Sequence, residues 1–218
     1  MKIDTDDLLN SIKDSFSRMT YIKSDEIPGI DLYMDQVTTF LDERLKSSAR
    51  NAEEAEKLMT KTMINNYAKN EVIPAPVKKK YTKDHMFLLI MVYYYKSFLQ
   101  INDIKELMDP ITDNLFGNSG EFGMHEVYDE VFSGMRAMIN EVYDDVLKKY
   151  DAADKSFEDA PEELKDYLKT FQFVCKLGSD VFVKKLLIEK VIDSLRTHHE
   201  KDEKESDSKD NKKEEAKE

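Results

Sequence analysis

Residues 60–83 read TKTMINNYAKNEVIPAPVKKKYTK, and the fold turns on how this stretch is parsed. Its first half has helical spacing. Ile64 and Tyr67 are three apart and Met63 and Tyr67 four apart, so they share one face. Thr60 precedes them as an N-cap, its hydroxyl placed to accept from an orphan amide of the first turn. Asn65, Asn66 and Lys69 fall on the outward side. Pro74 and Pro76 disfavour helix and predict an extended elbow that ends it. Lys78, Lys79 and Lys80 follow, capped by Tyr81, and a second helix is expected from Thr82. A short polar helix, a proline elbow, a basic turn and another helix form the order of a helix-turn-helix with a small wing. In that arrangement the polar helix enters a DNA groove and the basic turn holds phosphates.

Charge points the same way. The chain of 218 residues has 33 Lys and Arg against 45 Asp and Glu, a net charge of −12. Residues 60–83 carry Lys61, Lys69, Lys78, Lys79, Lys80 and Lys83 against Glu71 alone, or 6 − 1 = +5. Lysine runs are more often plain solvated surface, so the island by itself is weak evidence. Thr62, Asn65 and Asn66 are the candidates for base edges, since an Asn amide can pair with adenine N6 and N7 together. Thr60, Lys61, Lys69, Lys78, Lys79, Lys80 and Tyr81 are the candidates for phosphate. An acidic body would repel DNA elsewhere and confine contact to this face.

The run from Thr60 to Met108 resembles the DNA-binding head of the MerR family of bacterial regulators. TMINNY stands where that family has its recognition helix, and VIPAP stands for its leucine-leucine-proline elbow. KKKYTKDHMFLLIMVYYYKSFL fills the place of the wing and long helix, and INDIKELM that of the closing helix. The text IDLYMDQVTTFLDERL, with TKTMINNYAKN and VKKKYTKDHM, is more closely similar to a bacterial family, domain-of-unknown-function family 1836. Its members look like winged-helix regulators, and the likeness covers roughly Ile27 to Leu115. The resemblance implies a winged helix-turn-helix head that binds DNA. The chain departs from the MerR pattern in having Thr62 and Asn65 where arginines are usual, Asn66 for the first tyrosine, and a wing of only a few residues.

The rest of the chain reads as helix. Thr5 to Tyr21 repeats Leu8, Ile12, Phe16 and Met19, and a loop from Ser24 to Gly29 follows. Asp31 to Leu45 is expected to be one helix supporting the recognition helix, with residues 46–59 as an inserted loop holding a helical turn near Glu53–Leu58. Thr82 to Leu99 is apolar all round, as a central helix would be, and its run Tyr93-Tyr94-Tyr95 reads as packing. Asn102 should cap a short helix that Pro110 ends. The glycine-rich DNLFGNSGEFG, residues 113–123, predicts a domain junction. Met124 to Tyr150 then reads as one long helix with Val127, Val131, Met135, Met138, Val142 and Val146 inward. A last helix from Pro161 to about Thr197 is expected to pair with it as a hairpin, burying Leu164, Leu168, Phe171, Val174, Phe182, Leu186, Val191 and Leu195. The Glu- and Lys-rich text beyond reads as disordered.

Catalytic chemistry has little footing. There is no Gly-rich phosphate loop, no His-x-x-x-His pair and no cysteine cluster. His85 and His125 are isolated, and His198 and His199 open the charged tail. Cys175 beside Val174 reads as a buried inert thiol, and a single cysteine argues for a reducing cytoplasm. No secretory leader is recognisable, and the longest apolar run, Met86 to Tyr95, is about half of the ~20 residues a span needs.

These features predict an all-α protein with a MerR-like winged helix-turn-helix head and a C-terminal helical hairpin. The expected divisions are an N-terminal helix over 1–26, the head over 27–115, a helical region over 116–197 and a charged tail over 198–218. The expected function is sequence-specific binding of double-stranded DNA by a transcriptional regulator, a repressor rather than an enzyme. It would act in the cytoplasm without cofactor, metal or membrane. A homodimer on a palindromic site is expected, with the C-terminal helices as its interface. The alternative is a protein–protein adaptor that keeps the head's fold without its DNA contact, favoured by overall acidity and the poverty of arginine.

Overall fold

The computed structural model describes residues 5–18, 21–46, 58–118 and 120–215. They form an all-α structure in the order α1 (Thr5–Arg18), a 3-10 turn (Ser24–Glu26), β1 (Leu32–Tyr33), α2 (Met34–Leu45), α3 (Lys61–Lys69), β2 (Lys80–Tyr81), α4 (Lys83–Tyr95), α5 (Ile101–Leu115), α6 (Met124–Ser133), α7 (Met135–Asp154) and α8 (Glu162–Glu215). β1 and β2 pair antiparallel, Leu32 opposite Tyr81 and Tyr33 opposite Lys80. Among the described residues no helix is long and apolar enough to cross a membrane, and no cluster of His, Cys, Asp or Glu could hold a metal ion.

The core is built on α4. Every residue from His85 to Val92 is buried. A helix without a polar face has no side to give to water, so its neighbours must surround it. Val37, Leu41 and Leu45 of α2 share its core, as do Ile64 and Tyr67 of α3, Ile104 and Met108 of α5, and Met124, Tyr128 and Phe132 of α6. Tyr128 is fully buried and its hydroxyl donates to the Ile22 carbonyl at 2.5 Å. That bond ties α6 to the segment before β1. The junction expected at 115/116 therefore does not divide the core, which continues through Phe132. A smaller cluster joins Val146, Ala153 and Phe173, with Ile12 and Phe16 of α1 packed against it.

Several elements differ from expectation. Leu32 and Tyr33 are strand, not the first turn of a helix, and α2 starts after them with the Tyr33 amide donating to Gln36 Oε1 at 2.9 Å. Pro74 and Pro76 do not stop α3. The helix ends at Lys69 in a Schellman turn, in which Val72 N–H donates to Tyr67 O at 2.9 Å and Glu71 N–H to Ala68 O at 3.2 Å. Glu71 takes the left-handed position, φ 56°, where glycine is usual. Pro110 lies inside α5 instead of ending it. The long helix expected over 124–150 is broken at Gly134 into α6 and α7. The inserted loop's helical turn near 53–58 falls almost wholly outside the described residues. The last helix continues to Glu215, into charged text read as disordered; Glu and Lys are themselves strong helix formers.

α7 and α8 do form an antiparallel hairpin. Lys169 meets Asp154 at 3.1 Å at one end, and Lys149 meets Asp180 at 3.2 Å nearer the other. The buried contact between them is Phe173 against Tyr150, with ring centroids 5.4 Å apart. The faces expected inward are largely outward: Val131, Met138 and Val142, and on α8 Leu164, Phe171, Val174, Phe182, Leu186 and Val191, are all exposed. Cys175 is exposed as well, not buried. Period alone marks an apolar stripe without saying what covers it.

Candidate nucleic-acid interface

α3 presents the polar side its spacing predicts. Ile64 is fully buried and Tyr67 nearly so, while Lys61, Thr62, Asn65, Asn66 and Lys69 are exposed. The start is fixed by Thr60, whose Oγ1 accepts from the Met63 amide at 3.2 Å. That bond occupies the Thr60 hydroxyl oxygen in capping, one of the two roles expected of it. Asn66 is braced: Asn70 Nδ2 donates to its carbonyl at 2.8 Å and to its Oδ1 at 3.0 Å. Among the described residues Asn65 has no such partner, so both ends of its amide face outward.

The lysine run forms a tight hairpin tip. Val77 bridges to Lys80, and Lys80 N–H donates to Val77 O at 3.0 Å. The two residues between, Lys78 and Lys79, have φ of 52° and 65°. Positive φ at both central positions defines a type I′ turn, which favours Asn-Gly and penalises side chains with a Cβ. Lys78 and Lys79 are exposed and Lys80 is half-buried.

Residues 33–35 bring helix and tip to one side. Lys61, at the start of α3, pairs with Asp35. Lys80 Nζ sits 5.6 Å from the centroid of the Tyr33 ring. The chain from β1 into α2 thus touches both parts of the basic stretch. Tyr33 is 54% exposed and Val77 70%, so the surface is not purely polar. Sequence reasoning passed over both. The signal for Tyr33 lay in Ile30 and Leu32, whose alternation before a tyrosine fits a short strand better than a helix.

Tyr81 is the site residue that the structure removes. It is 2% exposed, stands edge-on to His85 at 5.4 Å, and burial pushes its phenol pKa up. Its work is to lock β2 onto α4. His85 completes that lock. Its Nδ1 accepts from the Thr82 amide at 3.0 Å and lies 2.8 Å from Thr82 Oγ1, so the ring proton belongs on Nε2. Burial lowers its pKa, against a smaller upward pull from the carbonyls of Pro74 and Ala75 and from Asp84 and Asp31.

Thr62, Asn65, Asn66, Lys61 and Lys69 thus share α3's outer side, and Lys78 to Lys80 form a separate tip joined to it through Tyr33 and Asp35. Exposed amide and hydroxyl groups on a rigid helix can address base edges, and mobile ammonium groups on a turn can address phosphates. No curated protein matches the chain, and neither does any solved structure. A family model does match, described as Domain of unknown function (DUF1836), over residues 22–131. Its bounds lie close to the block that the Tyr128–Ile22 hydrogen bond closes. With half of its length within that match, the chain belongs to the DUF1836 family.

Proposed function

We propose that the protein is a sequence-specific DNA-binding transcriptional regulator, a repressor, with a MerR-like winged helix-turn-helix head. α2 is the supporting helix, α3 the recognition helix and the Val77–Lys80 tip the wing. Thr62 and Asn65 meet base edges, with Asn66 beside them held by Asn70. Lys61, Lys69, Lys78, Lys79 and Lys80 take phosphates. A homodimer sets two heads on the half-sites of a palindrome.

One observation carries this reading: lysines occupy both left-handed positions of the tip. Each costs about 1–2 kcal/mol relative to a residue suited to that region. The turn itself would be better served by Asn-Gly. Backbone strain at an exposed cationic tip points to a use for the side chains.

The second reading, a protein–protein adaptor, is favoured by the exposed Tyr33 and Val77 beside the lysines and by Asp35 against Lys61. Selection of duplexes from a random pool separates the two. A DNA-binding head enriches one motif, and its affinity falls with salt by about 0.9 log units per log salt for each phosphate neutralised. Alanine at Lys78, Lys79 and Lys80 should flatten that slope, and Asn65→Ala should cost about 1–3 kcal/mol of discrimination at one base pair. A pool that stays random at low salt overturns the proposal.

A further inference from the structure

α8 has three sides, and two are occupied. Phe173 and Leu177 face the α7 hairpin. Ile188 and Ile192 join the main core, and Arg196 reaches Asp103 at 3.1 Å and Glu106 at 3.5 Å on α5. The third side is apolar and uncovered among the described residues. Phe182 is 62% exposed, and Leu164, Phe171 and Leu186 are each about half exposed.

The spacing along that side is symmetric. Counting back from Cys175, Phe171, Leu168 and Leu164 stand four, seven and eleven residues away. Counting forward, Gly178, Phe182 and Leu186 stand three, seven and eleven away. Steps of three and four keep all of them on one helical stripe. A stripe that reads alike in both directions is what a two-fold axis across a helix requires, since an isologous contact is self-complementary.

We infer that this stripe is the contact with a second copy of the chain, the two α8 helices packing antiparallel about an axis at Cys175. Leu164 then meets Leu186 of the second copy, and Leu168 meets its Phe182. Phe171 lies over Gly178 of the second copy, where no side chain stands and the surrounding space is open. Cys175 meets its own equivalent. The seam runs about 33 Å, at ~1.5 Å per residue over Leu164 to Leu186.

Area supports a second copy as the occupant. With the flanking Tyr167, Val174 and Val181 also exposed, the face offers on the order of 800–1,000 Å². Monomers rarely leave a contiguous apolar patch above a few hundred Å², and a stable interface takes ~800 Å² from each partner. A lipid surface fits less well, because binding to it favours a strongly cationic polar face. Residues 162–197 carry seven basic and six acidic side chains, a balance of 7 − 6 = +1. This contact stands on its own face of the molecule and holds whether or not the head meets DNA.

Sedimentation equilibrium of the full chain tests it. The expected mass is twice the 25.5 kDa of one chain. Phe182→Asp, at an exposed position, should give a monomer with unchanged helical circular dichroism. Direction is tested with a short bismaleimide in the Cys175→Ser background. Chains with Leu164→Cys and chains with Leu186→Cys should cross-link to each other when mixed and not to themselves. The unaltered chain should cross-link through Cys175. A monomeric wild type at tens of micromolar overturns the inference, as does a dimer that Phe182→Asp leaves intact or a Leu164→Cys chain that cross-links to itself.

Discussion

Replacing Lys78-Lys79 by Asn-Gly should make the protein more stable and, where the tip serves as a wing, worse at holding DNA. Both residues have positive φ, at 52° and 65°. A side chain with a Cβ pays about 1–2 kcal/mol there, Asn less and Gly nothing. Gly returns about 0.5–1 kcal/mol through the greater freedom of the unfolded chain. The net gain is about 1 kcal/mol, or a rise in Tm of about 2–4 °C for a chain of this size. The same change deletes two exposed ammonium groups, so the salt slope of binding should shrink by about 1.8 log units. Lys78→Gln with Lys79→Gln is the charge-only control: it loses the same slope without gaining stability. Thermal unfolding reads the first effect, and fluorescence anisotropy on a selected duplex over a salt series reads the second. A lower Tm would refute the turn assignment. A higher Tm with an unchanged slope would leave the turn intact and remove the tip from the DNA contact.

Glu71→Gly should stabilise by about 0.5–1 kcal/mol, because glycine suits the left-handed end of the Schellman turn and the lost contact to Lys105, at 3.8 Å and exposed, is worth little; Glu71→Ala should show no such gain in denaturant unfolding. Tyr128→Phe should cost about 1–3 kcal/mol by leaving the Ile22 carbonyl without its donor, read as a lower urea midpoint at constant m-value. His85 titrates below its ordinary 6.5 in the folded protein, so the unfolded chain binds more protons once pH drops under that value. The stability this group contributes is complete above about pH 6.5 and declines on acidification toward the lowered folded pKa. His85→Gln keeps an acceptor for the Thr82 amide and does not titrate, so its stability should stay flat from pH 7 to 5.5 where the wild type declines.

The parts of the head that were legible from text are those set by local chemistry. Thr60 names its own role, because a hydroxyl before an Ile–Tyr face has one obvious use. Leu88 to Val92 cannot be anything but interior. What escaped was set at longer range. Leu32 and Tyr33 become strand only because Lys80 and Tyr81 arrive opposite them. α3 ends where Glu71 adopts a conformation its type disfavours, so prolines further on looked like the terminator. Pro110 was expected to end a helix, yet α5 continues through it to Leu115, with Asn114 Nδ2 donating to its carbonyl at 2.7 Å. In the site, exposure of Thr62, Asn65 and Lys69 follows from helical period. Burial of Tyr81 does not, since it depends on α4 lying beneath β2.

The segment between α3 and the tip links these observations mechanically. A left-handed residue stands at each end of it, Glu71 after the helix and Lys78 at the turn. Between them Pro74 and Pro76 restrict the chain further by fixing their own φ and limiting the residues before them. The angle between the recognition candidate and the basic tip is therefore held by the backbone itself, with few soft dihedrals left to average over. His85 lies under this elbow, next to the carbonyls of Pro74 and Ala75, and braces it against the first turn of α4. A buried imidazole that gains a proton needs either water or a closer acceptor. The nearest part free to move toward it is the elbow, since α4 is enclosed on all sides. Acid should thus alter the spacing of helix and tip before it unfolds the core. DNA affinity, measured at fixed salt, should fall at a higher pH than the unfolding transition does. Coincidence of the two curves would mean that the elbow and the core respond as one unit.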